Sequence, residues 1–164
     1  MAVGDTLAIF LPTDNRPPAS NAATPDVRDL VDLLHFDGST QEEAYFVGVL
    51  PLHYDGGKIN VKISFLMTSA TSGTVGWIVA FERRAEGDAH DHDTSSFDTT
   101  TTITAVTVPG TSGRVKECNV DVAVADLDGL VAGDCFRLRI QRDVANDTAS
   151  TDAELQSVHL SEVA

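Results

Sequence analysis

Basic residues are scarce in this chain. Lys and Arg number 11 against 25 Asp and Glu in 164 residues, a formal net charge of −14. A polyphosphate backbone is held by clustered cations, and anionic lipid by polybasic segments, so the composition argues against both nucleic acid and membrane as partners. Long apolar runs are also missing. None approaches the roughly 18 residues that span a bilayer as a helix. Met1-Ala2-Val3-Gly4-Asp5 has no basic n-region and no long apolar core, so the expectation is synthesis in a cytoplasm without export by a secretory signal. The two cysteines, Cys118 and Cys135, are too few for a disulfide scaffold.

Motifs of catalysis are absent as well. There is no Gly-x-Ser-x-Gly, no Gly-x-Gly-x-x-Gly and no phosphate loop. Glu42 and Glu43 are adjacent carboxylates, but neighbours on a strand face opposite ways and cannot share a substrate. His90-Asp91-His92-Asp93 offers metal-ligand types, yet it sits between Glu86-Gly87-Asp88 and Thr94-Ser95-Ser96, which reads as a solvated hairpin tip without fixed ligand geometry. Asp126-x-Asp128-Gly129 resembles part of a calcium loop, but the twelfth position from Asp126 is Arg137 instead of a glutamate. A turn with Asp and Gly in their usual places explains it. His53 and His159 stand alone. Catalytic, cofactor and metal sites are therefore all expected to be absent, and the chain is read as not an enzyme.

What the sequence does contain is a period of two. Mean hydropathy is near zero and 42% of residues are hydrophobic, enough for one domain with its own core. Ile59, Val61, Ile63, Phe65 and Met67 alternate with Asn60, Lys62 and Ser64, the pattern of a half-buried strand. Val75, Trp77, Val79 and Phe81 form a second stripe. Cys118, Val120, Val122 and Val124 form a third, and Phe136, Leu138 and Ile140 a fourth. Thr101–Val108 is rich in β-branched residues. Weaker strand candidates are Leu30–Phe36, Glu43–Leu50 and Ala153–Val163, and Asp126–Val131 could hold one short helical turn. Trp77 and Phe81 share a face with valines and are read as core rather than as a sugar-stacking surface. Cys118 falls on an inward stripe and Cys135 is offset by one from the Phe136 stripe, so the two are expected on opposite faces and unbonded.

Residues 1–28 differ. The apolar patch Leu7–Leu11 is followed by Pro12, Pro17, Pro18 and Pro25, a density that forbids a regular helix and interrupts sheet ladders. The segment reads as an extended N-terminal arm (1–28) ahead of a sandwich domain (29–164). The alternative is a strand and a long ordered loop on the same domain. Together the pattern specifies an all-β fold, an antiparallel β-sandwich of jelly-roll type.

Several stretches resemble small virion proteins of tailed bacteriophages: Pro-Pro-Ala-Ser-Asn-Ala-Ala-Thr-Pro-Asp-Val-Arg at 17–28, Leu-His-Phe-Asp at 34–37, Glu-Ala-Tyr-Phe at 43–46, Tyr-Asp-Gly-Gly at 54–57, Ala-Thr-Ser-Gly-Thr-Val-Gly-Trp at 70–77, and Leu-Val-Ala-Gly-Asp at 130–134. The resemblance covers nearly the whole chain and carries no active-site residue. It implies a capsid decoration (cement) protein on the outer surface of a virion. Such a protein would clamp neighbouring copies of a major capsid protein and act as a homo-oligomer, expected to be a trimer. The alternative is a receptor- or glycan-binding fibre-head domain, for which exposed aromatics are the expected mark.

Overall fold

The structure, a computed structural model, describes residues 4–88 and 91–163. Ten strands carry the fold: β1 (Thr6–Phe10), β2 (Thr24–Arg28), β3 (Val31–Phe36), β4 (Glu43–Val49), β5 (Lys58–Met67), β6 (Thr74–Arg84), β7 (Thr101–Thr107), β8 (Lys116–Val122), β9 (Cys135–Arg142) and β10 (Ala153–Val163). Helical structure among the described residues is limited to three 3-10 turns, one of them at Val124–Asp126, slightly ahead of the turn expected at 126–131. One sheet runs β2-β3-β10-β5-β8, with β1 also paired to β10, and the other runs β4-β9-β6-β7. All named strand pairs are antiparallel. From β3 onward the chain lays down the jelly-roll order, β3-β10-β5-β8 against β4-β9-β6-β7.

The period-two stripes meet in the middle. Ile59, Val61, Ile63, Phe65 and Met67 are fully buried, as are Val75, Trp77, Val79 and Phe81 and then Phe136, Leu138 and Ile140. Register aligns the rows: Phe46, Leu138 and Phe81 lie side by side across β4, β9 and β6, with Ala44, Ile140 and Val79 in the next inward row. Trp77 packs edge-on to Phe36 and Phe65, ring centroids 5.1 and 5.5 Å away, which makes it a core residue. Val120 is only partly buried against this core.

The N-terminal segment lies on its own sandwich. β1 pairs with β10, and Leu7 and Phe10 enter the core. Phe10 stacks on Phe46 at 5.3 Å and meets Phe136 at 6.2 Å. Residues 15–23 run along the free edge of β4: the Arg16 and Ala23 amides donate to the Tyr45 and Glu43 carbonyls, and the Glu43 amide donates to the Asn21 carbonyl. Unpaired edge groups invite association with another chain, and this strap covers them. Its prolines do no harm there, and Pro25 sits in β2, an edge strand where a missing N–H removes no ladder bond. Within the stretch expected as an arm (1–28), the described residues supply β1, a 3-10 turn at Pro12–Asp14 and β2, and residues 15–23 cover the β4 edge.

Both cysteines are free. Cys118 is buried on the inner face, and desolvation pushes its thiol up to about 12, while Cys135 is half-exposed on the opposite face of β9. A thiol reagent should therefore modify Cys135 in the native protein and reach Cys118 only after denaturation. Recovery of a 118–135 linked peptide would overturn the strand assignment.

Candidate functional site

The outer face of the four-stranded sheet gathers three guanidinium groups, those of Arg84, Arg137 and Arg139, and the two half-buried aromatics, Tyr45 and Phe97. Because alternate residues of a strand face opposite ways, the positions between the core residues project outward in rows. Glu43, Gln141 and Ile78 form one row, Tyr45, Arg139 and Ala80 the next, and Val47, Arg137 and Glu82 the third. Residues 94–97 fold back over this face. The Thr94 carbonyl accepts hydrogen bonds from Arg84 and Arg137, and the Ser96 amide donates to Glu82 Oε1 at 2.5 Å. Glu82 is fully buried beneath them, with Arg84 Nη2 at 2.6 Å and Arg137 Nε at 2.6 Å. A buried carboxylate is tolerated only when its lone pairs are met by charge-assisted donors, and Glu82 has three.

That anchoring places Phe97 against Tyr45, ring centroids 5.3 Å apart at 61°. The guanidinium carbons of Arg139 and Arg137 lie 4.8 and 5.6 Å from the Phe97 centroid, within cation–π range. The Tyr45 hydroxyl donates to Glu43 Oε1 at 3.0 Å, and Gln141 Nε2 donates to Glu43 Oε2 at 2.7 Å. Burial, reinforced by Glu43, holds the Tyr45 phenol above its usual pKa. Arg139 Nε is buried without a hydrogen-bond partner. The result is an aromatic pair flanked by an amide, a carboxylate and two guanidinium groups. A cleft of about 80 Å³ lined by Val47, Arg84, His92, Cys135 and Arg137 continues the same face.

The outer face of the other sheet carries a second cluster. His35 on β3 lies beside Glu154 on β10, its cross-strand partner, and close to Asp26 on β2. Among the described residues these three alone converge as a donor set that could hold a metal ion, each offering one atom within 4.8 Å of the others. A groove of about 420 Å³ opens next to them, lined by Pro12, Thr13, Asn15, Asp26 and Asp32 among others. Nearby, burial raises the Glu42 carboxyl above its usual range. Asp37 and Asp152 repel it further, while the Asp37 amide and His35 oppose the shift.

Among the described residues, the motifs singled out in the sequence do not assemble into a site. His90 lies outside the described residues. Asp91 Oδ1 is occupied by its own turn, accepting from the Asp93 amide and the Thr94 hydroxyl. His92 is exposed at the cleft. Asp128 adopts φ +55° and accepts the Arg83 amide, a turn and clasp role. Glu42, just ahead of β4, accepts from the Asp37 amide while Glu43, the first residue of β4, joins the aromatic platform, so the two carboxylates do not share a site. Two groupings escaped sequence reasoning: Tyr45 with Phe97, and Asp26 with His35 and Glu154. The members of each are far apart in the chain, and no local spacing signals them.

No known family model matches the chain, and no curated protein matches it in sequence. Solved structures do match its fold. The CBM22-1 xylan-binding domain from Paenibacillus barcinonensis superposes with a TM-score of 0.53 at 12% identity, covering 99% of this chain and 97% of that one. A family 35 carbohydrate binding module from an environmental isolate gives 0.52 at 10% identity, covering 94% and 92%. The K1 cleaved adhesin domain of Lys-gingipain from Porphyromonas gingivalis W83 gives 0.50 at 10% identity, covering 98% and 100%. At such identities the likeness establishes a shared β-sandwich fold over nearly the whole chain.

Proposed function

We propose that this protein is a non-enzymatic glycan-binding module whose binding surface is the outer face of the β4-β9-β6-β7 sheet. The observation that carries the reading is the Tyr45–Phe97 pair held between Arg139, Gln141 and Glu43. Apolar ring faces flanked by a few fixed polar groups are the make-up of a small-molecule binding surface. For a sugar, the rings would cover its C–H face while the amide, carboxylate and guanidinium groups reach its hydroxyls. The fold likenesses agree, since two of the matching structures are carbohydrate-binding modules by description. Support for the capsid clamp expected from the phage resemblance is weaker: none of the matching structures cited is a capsid protein, and the segment read as an N-terminal arm covers its own sheet edge.

Affinity electrophoresis through gels containing soluble polysaccharides, xylan among them, tests this directly. The intact protein should be retarded by at least one polymer. Phe97→Ala should weaken that retardation about tenfold, the worth of one aromatic stacking contact of roughly 1.4 kcal/mol, with an unchanged far-UV spectrum. A full panel without retardation, or a Phe97→Ala variant that migrates like the parent, would reject the assignment.

A further inference from the structure

We propose that Asp26, His35 and Glu154 form a binding site for a divalent transition-metal ion of the Zn2+ class, clipping the β2–β3 hairpin to the C-terminal strand β10. The geometry begins with one nitrogen. His35 Nε2 lies 3.0 Å from Asp26 Oδ2 and 2.9 Å from Glu154 Oε1. An imidazole nitrogen bears at most one hydrogen in either protonation state, so it satisfies one of these carboxylates and leaves the other oxygen facing it without a proton of its own. Glu154 is only 2% exposed, and water does not readily make up that deficit. A cation between the three atoms would accept a lone pair from each.

The dimensions fit a small ion. Bonds of about 2.0 Å at the tetrahedral angle separate ligand atoms by about 3.3 Å. The two separations from His35 Nε2 need to open by only a few tenths of an ångström, and Asp26 is exposed on an edge strand and free to swing. The donor that cannot move is already oriented. Arg28 Nη1 donates to Glu154 Oε2 at 2.7 Å, and Arg28 also reaches the carbonyls of Met67 and Thr68. This outer contact turns Oε1 toward His35, in the way groups behind a metal ligand fix its orientation. Two carboxylates outweigh one guanidinium, and Glu42 lies within coulombic reach of His35. One imidazole with two carboxylates favours Zn2+ or Mn2+ over Ca2+, which takes oxygen ligands almost exclusively. A fourth ligand would enter from the groove beside Asp26.

The test uses the full chain, stripped with a chelator and titrated with ZnCl2 by calorimetry at neutral pH, with Co2+ absorption as a reporter of coordination. One Zn2+ should bind per chain and raise the melting temperature. Asp26→Asn and His35→Gln should each lose about tenfold or more in affinity, the usual effect of disturbing a metal's ligand environment, and the Co2+ bands should change with them. Because Asp26 is exposed, its variant keeps the fold even if a change at buried Glu154 does not. His92→Gln, an exposed imidazole elsewhere, should bind as the parent does. The proposal is overturned if the intact chain takes up no Zn2+, if His35→Gln and Asp26→Asn retain parental affinity, or if His92→Gln is the variant that abolishes uptake.

Discussion

Replacing Arg142 by Met should lower the folding free energy by about 3–5 kcal/mol, the range for orphaning one partner of a buried ion pair. Arg142 is fully buried at the end of β9. Its Nε donates to Asp147 Oδ2 at 2.5 Å, Nη1 to the carbonyls of Phe36 and Thr151 at 3.0 and 2.7 Å, and Nη2 to the Ala149 carbonyl at 2.8 Å. One side chain thus ties β3, β9 and the loop before β10, and three carbonyl groups lose a donor when it goes. Asp147 loses its counter-charge while still accepting from the Gly76 amide. Burial already lifts the Asp147 carboxyl above its usual pKa, with Arg142 opposing. Without Arg142 that opposition disappears. A carboxyl whose folded-state pKa is raised stabilises the fold below its unfolded pKa, and the benefit is lost as pH rises through the folded value. The deficit of Arg142→Met should accordingly be larger at pH 7 than in mild acid. Urea unfolding at the two pH values measures both effects, and Arg142→Met with Asp147→Leu should recover part of the loss because no charge remains buried alone. A deficit below about 1 kcal/mol at neutral pH, the scale of an exposed pair, would show that the network contributes little.

Strand parity made most of this fold legible. The alternation in 59–67, 75–81 and 136–140 placed the stripes of the inner core cluster correctly, because a half-solvated antiparallel sheet writes its two faces into the sequence, although Leu66 and Ala80, on the other parity, are buried as well. Parity also separated Cys118 from Cys135. It failed where the outer face is covered. Glu82 and Arg84 continue β6 as polar residues on the solvent side, yet both are buried because residues 94–97 fold over them. Nothing local foretells where a loop lands. Residues 1–28 were opaque for a related reason: their prolines specify an extended backbone but not the surface that receives it, and here that surface is the β4 edge. The Asp26–His35–Glu154 cluster depends on β3 pairing with a strand about 120 residues later. Such pairing is a property of topology, which alternation leaves open.

Phe136→Ala and His92→Ala should differ widely in stability, which checks core and loop together. Phe136 is fully buried between Phe10 and Phe81, with centroids 6.2 and 5.8 Å away. The opposite strand has made room for it: a Cβ at Gly48 would fall 2.7 Å from Phe136 Cζ, so only glycine fits under the ring. Removing the ring leaves a void that neither Phe10, pinned by β1, nor the backbone at Gly48 can fill without moving a strand. A Phe→Ala change at such a site costs about 3–5 kcal/mol, on the order of 10 °C in melting temperature for a domain of this size. His92 is exposed, and its replacement should stay within about 0.5 kcal/mol. The same void predicts a rescue: with the Phe136 ring gone, the contact left to a Cβ at Gly48 is Phe10 Cζ at 3.0 Å, and that ring can turn by the few tenths of an ångström needed into the vacated space. In the Phe136→Ala background Gly48→Ala should be neutral or stabilising, whereas in the parent it should destabilise. Equal melting points for the two single variants, or the same penalty for Gly48→Ala in both backgrounds, would mean that Phe136 does not fill the space between β1, β4 and β6.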